Sequence, residues 1–283
     1  MTIAIFGATG ELGAHVIDAL LDRGLTPTDI VALGRNEERL AALESRGVRT
    51  ARVDLDEPAT IDPALEGVDK ALLISTNIPG QRLPQHRAAI EAMGRAGVTH
   101  LAYTSLLHAD SSPLALAEEH RGTEQLIAES GIPATLLRNG WYTENHGDDF
   151  AAGRSGVITN AAGDGVLATA ARRDYAEAAA AVLTETGHEG KTYELAGSDA
   201  WTFADFAAAA SEVLGAPVEY RAISQEEQAE QLRGFGVDEG TAQFVAGMYA
   251  DMAKGALEGD SADFTRLIGR ETTPLAEVLR GWK

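Results

Sequence analysis

The sequence predicts an α/β fold, in which a doubly wound parallel sheet is followed by a smaller lobe in the C-terminal half. Two observations support this prediction. Short apolar runs alternate with helical patterns along the first half of the chain, which is typical of parallel strands joined by right-handed helical crossovers. Several runs are apolar at every position, as in strands that are buried on both faces. A chain of 283 residues has room for one such domain and a smaller lobe.

Six strands with helices between them are predicted in the first half of the chain. The first strand is followed by a helical pattern at Val16, Ile17, Leu20 and Leu21. Further helices are predicted over residues 37–45, 83–96 and 116–130, and Gly97 is expected to end the second of these. The predicted strands span residues 2–6, 29–34, 48–53, 70–75, 100–105 and 134–138.

The second half of the chain has a looser pattern. Residues 139–165 are rich in glycine and scattered aromatics, which predicts a loop-rich region near a ligand. Next come a predicted helix over 175–184, a last sheet strand over 191–195, and a capping pair, Thr202 and Asp205, that begins a helix ending at Leu214. A short strand over 218–223 and mainly helical chain from Gln225 follow. We therefore expect residues 1–145 to form the sheet domain, with a return to it at about 168–197, and 146–283 to form mainly the smaller lobe.

The turn after the first strand reads Gly7-Ala8-Thr9-Gly10-Glu11-Leu12-Gly13. This spacing is typical of a Rossmann-type dinucleotide-binding unit: Gly7 permits the tight turn, Gly10 lets the backbone approach a pyrophosphate, and Gly13 lets the helix pack against the strand. The pyrophosphate would lie at the helix N-terminus, where unpaired N–H groups and the dipole favour negative charge. The alternative is a glycine turn without a ligand, but its position between strand and helix favours a nucleotide site.

The end of the second strand indicates which dinucleotide binds. NAD-binding units carry an acidic residue about 20 positions after the glycines, which binds the ribose 2′-hydroxyl. Here the strand ends in Gly34-Arg35-Asn36, and Arg35 could pair with a 2′-phosphate that a carboxylate would repel. We therefore expect NADPH to be preferred and NADH to bind more weakly. The alternative is an arginine that only faces solvent.

Other cofactor contacts are expected at the carboxyl ends of strands, where ligands of such sheets bind. Asp54 would approach the adenine, the alternative being a turn residue before Pro58. Ser75, Thr76 and Asn77 leave the fourth strand at the same edge and would line the middle of the dinucleotide.

Composition and charge exclude several classes of function. The net charge of -20 argues against binding DNA or RNA, because that requires a basic surface. There are no cysteines, and the seven histidines lack metal-ligand spacing, so we expect neither disulfides nor a metal site. No apolar run has the length of a membrane span, and a strand begins at the N-terminus where a signal peptide would lie. We expect a cytoplasmic protein.

Several segments of the chain resemble the NmrA-like atypical short-chain dehydrogenase/reductases. They are most similar to the NAD(P)H:quinone oxidoreductase type 2 branch, and the resemblance covers nearly the whole chain, being weakest from about Gln225. The stretches Val157-Ile158-Thr159-Asn160 and Trp201-Thr202-Phe203 are also similar to the related triphenylmethane dye reductases. The resemblance rests on residues 7–13, 84–87, 102–110, 136–142 and 187–197.

This resemblance implies a set of binding residues. Trp141, Tyr142, Glu144 and Asn145 would line the substrate pocket, where the two aromatic rings could stack on a flat acceptor. The alternatives are that these rings only close the core between the lobes, and that Arg172 is a plain surface arginine. Cofactor contacts are implied at Gly7, Ala8, Thr9, Gly10, Glu11, Leu12, Thr104, Ser105, Asn139, Gly140 and Arg172.

The usual proton donor of short-chain dehydrogenases is missing. By this match, the tyrosine and lysine of the Tyr-x-x-x-Lys pair are replaced by Leu116 and His120. Leucine cannot donate a proton. Ketone reduction creates an alkoxide that is about as basic as hydroxide and therefore needs a proton donor. A quinone yields a phenolate-type oxygen with a pKa of roughly 10, which water can protonate. His120 would orient ribose or substrate, the alternative being a structural histidine.

These observations favour an NADPH-dependent reductase that transfers hydride to a quinone or a cationic dye mainly by proximity and orientation. No catalytic residue is assigned. The rival hypothesis is a non-catalytic NADP(H)-binding redox sensor of the NmrA type, since loss of the tyrosine is compatible with both. The sequence leaves open the physiological acceptor and the oligomeric state, and a homodimer is compatible with it.

Overall fold

The computed structural model describes residues 1–78 and 80–283. Its strands are β1 Ile3–Phe6, β2 Ile30–Gly34, β3 Arg49–Arg52, β4 Lys70–Leu73, β5 His100–Leu106, β6 Ala134–Asn139, β7 Val157–Asn160, β8 Thr192–Leu195 and β9 Glu219–Ala222. Its α-helices are α1 Glu11–Asp22, α2 Glu37–Glu44, α3 Arg82–Ala96, α4 Ala117–Ser130, α5 Gly147–Gly153, α6 Arg172–Thr184, α7 Phe203–Leu214, α8 Gln225–Gly234, α9 Glu239–Met252, α10 Ala262–Ile268 and α11 Leu275–Arg280.

The main sheet has seven parallel strands in the order β3-β2-β1-β4-β5-β6-β8. Side chains alternate between the two faces of the sheet along each strand, and helices cover both faces. In β1, Ile3 and Ile5 join the apolar cluster beneath α1 and α6, whereas Ala4 and Phe6 join the cluster beneath α3. The predicted doubly wound α/β fold is confirmed.

The smaller lobe is built on an apolar cluster of its own and a two-stranded parallel sheet of β7 and β9. The predicted capping pair begins α7, since the Thr202 side chain accepts from the Asp205 N–H and the Asp205 carboxylate accepts from the Thr202 N–H. Leu106, the last residue of β5, packs into this cluster. The lobe therefore lies against the carboxyl edge of the main sheet.

Residues 139–165 are more regular than their composition indicates, because they contain α5 and β7. Neither element has a strong local signal: α5 is short and begins with glycine and two aspartates, and β7 pairs with a strand about sixty residues further along the chain. Helix α6 begins at Arg172 instead of at the predicted residue 175, again because of a contact that is distant in the sequence. The Arg172 N–H is held by the Glu144 carboxylate, a partner far away in the sequence.

Within residues 1–78 and 80–283, no helix combines the length and apolar character needed to cross a membrane.

Candidate functional site

A cavity of about 930 Å³ opens at the carboxyl edge of the main sheet, between the ends of β1, β2, β4, β5 and β6. The chain runs outward in both directions from β1 and β4, and ligands of open α/β sheets bind at such a switch point. Most predicted site residues line this cavity: Gly7, Thr9, Gly10, Glu11, Leu12, Arg35, Asp54, Ser75, Thr76, Asn77, Ser105, His120, Asn139, Gly140, Trp141, Tyr142, Asn145 and Arg172. Ala8 and Glu144 line a smaller neighbouring cavity of about 460 Å³.

The glycine turn has the geometry that its spacing predicts. Gly7 has a φ of 83°, in the left-handed region that favours glycine. A Cβ at Gly13 would lie 2.3 Å from the carbonyl oxygen of Gly7, so only glycine lets α1 approach the turn this closely. Gly10 precedes α1 without a side-chain cap, which leaves first-turn N–H groups beside the cavity for an anion.

Four buried polar atoms at the cavity residues have no hydrogen-bond partner within the described part of the chain. They are Thr76 Oγ1, Gln85 Oε1, Asn139 Oδ1 and Trp141 Nε1. Burying such a group without a partner costs about 1–3 kcal/mol, and all four belong to residues of the cavity wall, as expected where a polar ligand binds. A dinucleotide carries amide, hydroxyl, amino and phosphate groups, and the lining residues fit it.

Gln85 is a site residue that the sequence analysis missed as a ligand contact. It lies in α3, its Nε2 donates to Asp56 Oδ1 at 2.9 Å, and its Oε1 remains unpaired. The segment 84–87 contributes to the family resemblance and lies in a predicted helix. No local pattern shows that this face of α3 reaches the cavity.

Thr104 and Ser105 differ in their relation to the cavity. Thr104 is buried outside its lining, and its Oγ1 accepts a hydrogen bond from the Ser75 N–H at 2.8 Å. Ser105 lines the cavity, but its hydroxyl donates to Glu124 Oε1 at 2.5 Å. Glu124 also pairs with Arg138 at 2.8 Å. Both hydroxyl groups thus form hydrogen bonds within the protein, and their direct contact with a cofactor stays a prediction.

Trp141 and Tyr142 line the cavity and also close the core. Trp141 packs on the apolar cluster of the smaller lobe, and Tyr142 packs on the sheet cluster, with its ring centroid 5.2 Å from that of Tyr175. Both rings therefore close the core, as the alternative states, and their stacking on an acceptor stays a prediction.

Arg172 is held by several partners at the mouth of the cavity. Its guanidinium lies 2.8 Å from Glu11 Oε2, donates to Asn145 Oδ1 at 2.9 Å, and lies over the Tyr142 ring at 5.1 Å. It joins the glycine turn to the loop after β6. Its side chain is only 18% exposed, so it is not a plain surface arginine.

Asp54 makes a turn contact and lies on the cavity wall, and its approach to the adenine stays a prediction. Its Oδ1 accepts from the Asp56 N–H at 3.1 Å, which is a turn contact, and the residue also lines the cavity.

Leu116 and His120, which the resemblance matches to the usual tyrosine and lysine, both lie on the cavity wall. Burial and the nearby guanidinium of Arg82 lower the pKa of His120 to about 3, so its imidazole is neutral near pH 7. Burial raises the pKa of Tyr103 and of Tyr142. None of these three side chains has a pKa that suits proton donation near neutrality.

The described residues contain no group of three or more histidine, cysteine, aspartate or glutamate side chains that could hold a metal ion.

A model of the NAD(P)H-binding family matches residues 7–186 of the chain. The chain belongs to this family. The match spans the glycine turn, the cavity edge and α6, so the predicted NAD(P)H cofactor is confirmed at the level of the family.

The similarity to known proteins extends over the full length of the chain. Quinone oxidoreductase 2 of Escherichia coli strain K12 is 48% identical over 276 residues, which cover 97% of this chain and 96% of that protein. The crystal structure of an NADPH-dependent quinone oxidoreductase from E. coli complexed with NADPH superposes with a TM-score of 0.95 at 47% identity, covering 99% of each chain. Citrobacter sp. triphenylmethane reductase complexed with NADP(H) gives a TM-score of 0.95 at 38% identity, covering 100% of both chains. The resemblance identified from the sequence motifs is confirmed.

Proposed function

We propose that this protein is an NADPH-dependent reductase that transfers hydride to a quinone-like acceptor. The observation that carries the proposal is one continuous cavity that joins the glycine turn and Arg35 to Trp141, Tyr142 and the position of Leu116. The full-length similarity to a quinone oxidoreductase supports the same acceptor class.

The cofactor would be held by groups along the whole cavity. The first-turn N–H groups of α1 would bind the diphosphate, Arg35 the 2′-phosphate, and Asn139 would lie at the nicotinamide end. When bound, NADPH supplies the hydride that reduces the acceptor.

The protonation chemistry of the site matches the acceptor class. Leu116 has no proton to give, and His120 is neutral. A reduced quinone carries a phenolate-type oxygen with a pKa of roughly 10, which solvent can protonate, whereas an alkoxide needs an enzymic acid. The residues of the cavity therefore contribute binding and orientation, which by themselves can supply about 7–11 kcal/mol of a barrier.

Triphenylmethane dyes are the second acceptor class to test. A cationic dye is neutralised by hydride and needs no proton at all, and the similarity to triphenylmethane reductase is as complete in fold as that to the quinone reductase.

The deciding experiment measures NADPH oxidation with benzoquinones, a triphenylmethane dye and an unactivated ketone in parallel. We expect turnover with the quinones, and ketone reduction at least 100-fold slower. Tight NADPH binding without oxidation by any acceptor would instead assign the protein to the redox sensors.

A further inference from the structure

Tyr103 and His120 form a buried pair beside the cavity. The Tyr103 side chain is fully buried in β5, and its hydroxyl lies 2.9 Å from Nδ1 of His120 in α4. A buried phenol needs an acceptor for its proton, and burial keeps that proton on the oxygen because it raises the pKa of Tyr103. A neutral imidazole that accepts at Nδ1 carries its own proton on Nε2.

The neighbouring hydrogen bonds direct their protons away from the Tyr103 oxygen. The Thr76 N–H donates to His86 Nε2 at 3.1 Å, so His86 must donate from Nδ1 to Thr123 Oγ1 at 2.9 Å. The Thr123 hydroxyl then donates to the carbonyl oxygen of Glu119 at 2.9 Å. These donors leave two acceptors for the phenol proton, Thr123 Oγ1 and His120 Nδ1, and the hydroxyl lies 2.9 Å from Nδ1.

The charges around His120 keep it neutral. The Arg82 guanidinium is buried nearby and pairs with Glu119 at 3.0 Å, and His86 and Tyr103 are the other titratable groups packed on this side. Burial and Arg82 lower the pKa values of His120 and His86 to about 3. His120 is therefore neutral near pH 7 and carries one proton, on Nδ1 or on Nε2.

Nε2 of His120 is available to a ligand. The residue lines the cavity together with Leu116, Ser105 and Asn139, and Nε2 has no hydrogen-bond partner among residues 1–78 and 80–283. Nε2 is also not fully buried, so a ligand in the cavity can reach it. The position thus presents one fixed N–H donor at the place where a typical enzyme of this fold class has a cation.

We propose that His120 donates a hydrogen bond from Nε2 to the acceptor oxygen on which negative charge develops, and that Tyr103 is a positioning residue that holds the imidazole in this tautomer. The inference rests on the proposed function. Hydride transfer to a quinone yields the hydroquinone monoanion, solvent water supplies the proton that completes the hydroquinone, and His120 keeps its own proton throughout. A fixed donor of this kind typically contributes about 10²–10³ in kcat.

The first test measures the tautomer directly in the free protein by ¹⁵N NMR of the imidazoles, with His120→Gln used to assign the signals. We expect His120 as the Nε2–H tautomer in the wild type and a mixture of tautomers in Tyr103→Phe. The matched control is Tyr193→Phe, because Tyr193 pairs with His188 Nδ1 at 2.8 Å and lies outside the cavity lining. An Nδ1–H tautomer at His120 in the wild type would overturn the proposal.

The second test separates kcat for a benzoquinone from the Kd of NADPH. We expect His120→Leu to lower kcat by about 10²- to 10³-fold with the NADPH Kd changed less than twofold. The loss in kcat should be largest for quinones whose hydroquinone monoanions are most basic. His120→Gln, which retains an N–H donor, should recover much of this loss, and Tyr103→Phe should lose about 10-fold in kcat. A tenfold weaker NADPH Kd with unchanged kcat would show a ribose contact instead and overturn the proposal.

The two proposals fail separately. If the wild type reduces no quinone, the proposed function is wrong, while the tautomer measurement still decides the Tyr103–His120 arrangement. If the wild type reduces quinones and His120→Leu does so equally well, only the inference about His120 is wrong.

Discussion

Arg39 donates a hydrogen bond from Nη1 to the carbonyl oxygen of Thr9 at 2.6 Å and so ties α2 to the glycine turn. Asn36 supports this contact, since its side chain accepts from the Arg39 N–H and caps α2. Arg35 lies just before this cap, exposed and lining the cavity, with no protein hydrogen bond or ion pair found within the described ranges. Of these two arginines, Arg39 is already hydrogen-bonded to the backbone, and Arg35 is available to a ligand.

Arg35→Glu is therefore expected to weaken NADPH by at least tenfold and to leave NADH nearly unchanged, because a carboxylate repels the 2′-phosphate. The measurement is Kd for both dinucleotides by fluorescence titration. Arg49→Glu makes the same charge change at the amino end of β3, on the opposite edge of the sheet, and should leave the NADPH to NADH ratio as it is. Equal effects of both variants would contradict the assignment of Arg35.

Gly10→Val is expected to weaken NADPH by more than tenfold without unfolding the protein. The φ of -82° and ψ of 171° at Gly10 suit any residue, and a Cβ there would meet only the Gly7 carbonyl oxygen, at 3.2 Å. The side chain would instead fill the space that the diphosphate needs. Gly94→Val, at an exposed helix position with open space, is the control for valine itself. Undiminished affinity in a folded Gly10→Val protein would refute the site.

Trp141→Ala is expected to reduce acceptor turnover more than NADPH binding, because the ring is placed to stack on a flat acceptor. Trp141→Phe keeps a ring but removes the unpaired Nε1–H, so comparing the two variants separates stacking from hydrogen bonding. Trp282→Ala removes another indole of the smaller lobe, one that packs on Phe150 outside the cavity lining, and should affect only stability. A similar loss of kcat in both alanine variants would mean that Trp141 acts only through the core.

The free energy of unfolding is expected to fall as the pH drops below about 6.5, partly because of His86. Its pKa is lowered from 6.5 to about 3 by burial and by Arg82, so the unfolded chain binds a proton in this interval that the folded protein does not. The contribution is fully present above pH 6.5 and is lost progressively as the pH falls towards 3. Between pH 7.5 and 5 it amounts to about 2 kcal/mol.

Urea unfolding of the wild type and of His86→Gln at several pH values checks this prediction. Glutamine can still accept from the Thr76 N–H but cannot titrate, so the fall in unfolding free energy between pH 7.5 and 5 should be smaller in the variant by about 2 kcal/mol. An identical pH dependence in both proteins would show that His86 is not the group responsible.

The chain position of a residue predicts its contact with the cavity well for some residues and poorly for others. Gly7, Arg35 and Asn77 follow strand ends, and a parallel sheet brings such ends to one edge, so these contacts could be predicted. Gln85 and Arg82 lie on a helix, and which face of a helix reaches a cavity depends on how the helix packs. Ser105 lines the cavity, but its hydroxyl bond to Glu124 depends on a helix nineteen residues further along the chain.

The sequence by itself determined the parallel sheet, the glycine turn, the α7 cap and the replacement of the ribose-binding acid by Arg35, because each signal lies within a few residues of chain. Only the tertiary structure decided the pairing of β7 with β9, the capping of α6 by Glu144, and the contact between Tyr103 and His120. In each of these the partners come from different elements, and their meeting depends on the packing of whole helices and strands. The tautomer of His120 follows from that packing, since the hydrogen bond that sets it exists only when β5 and α4 lie side by side.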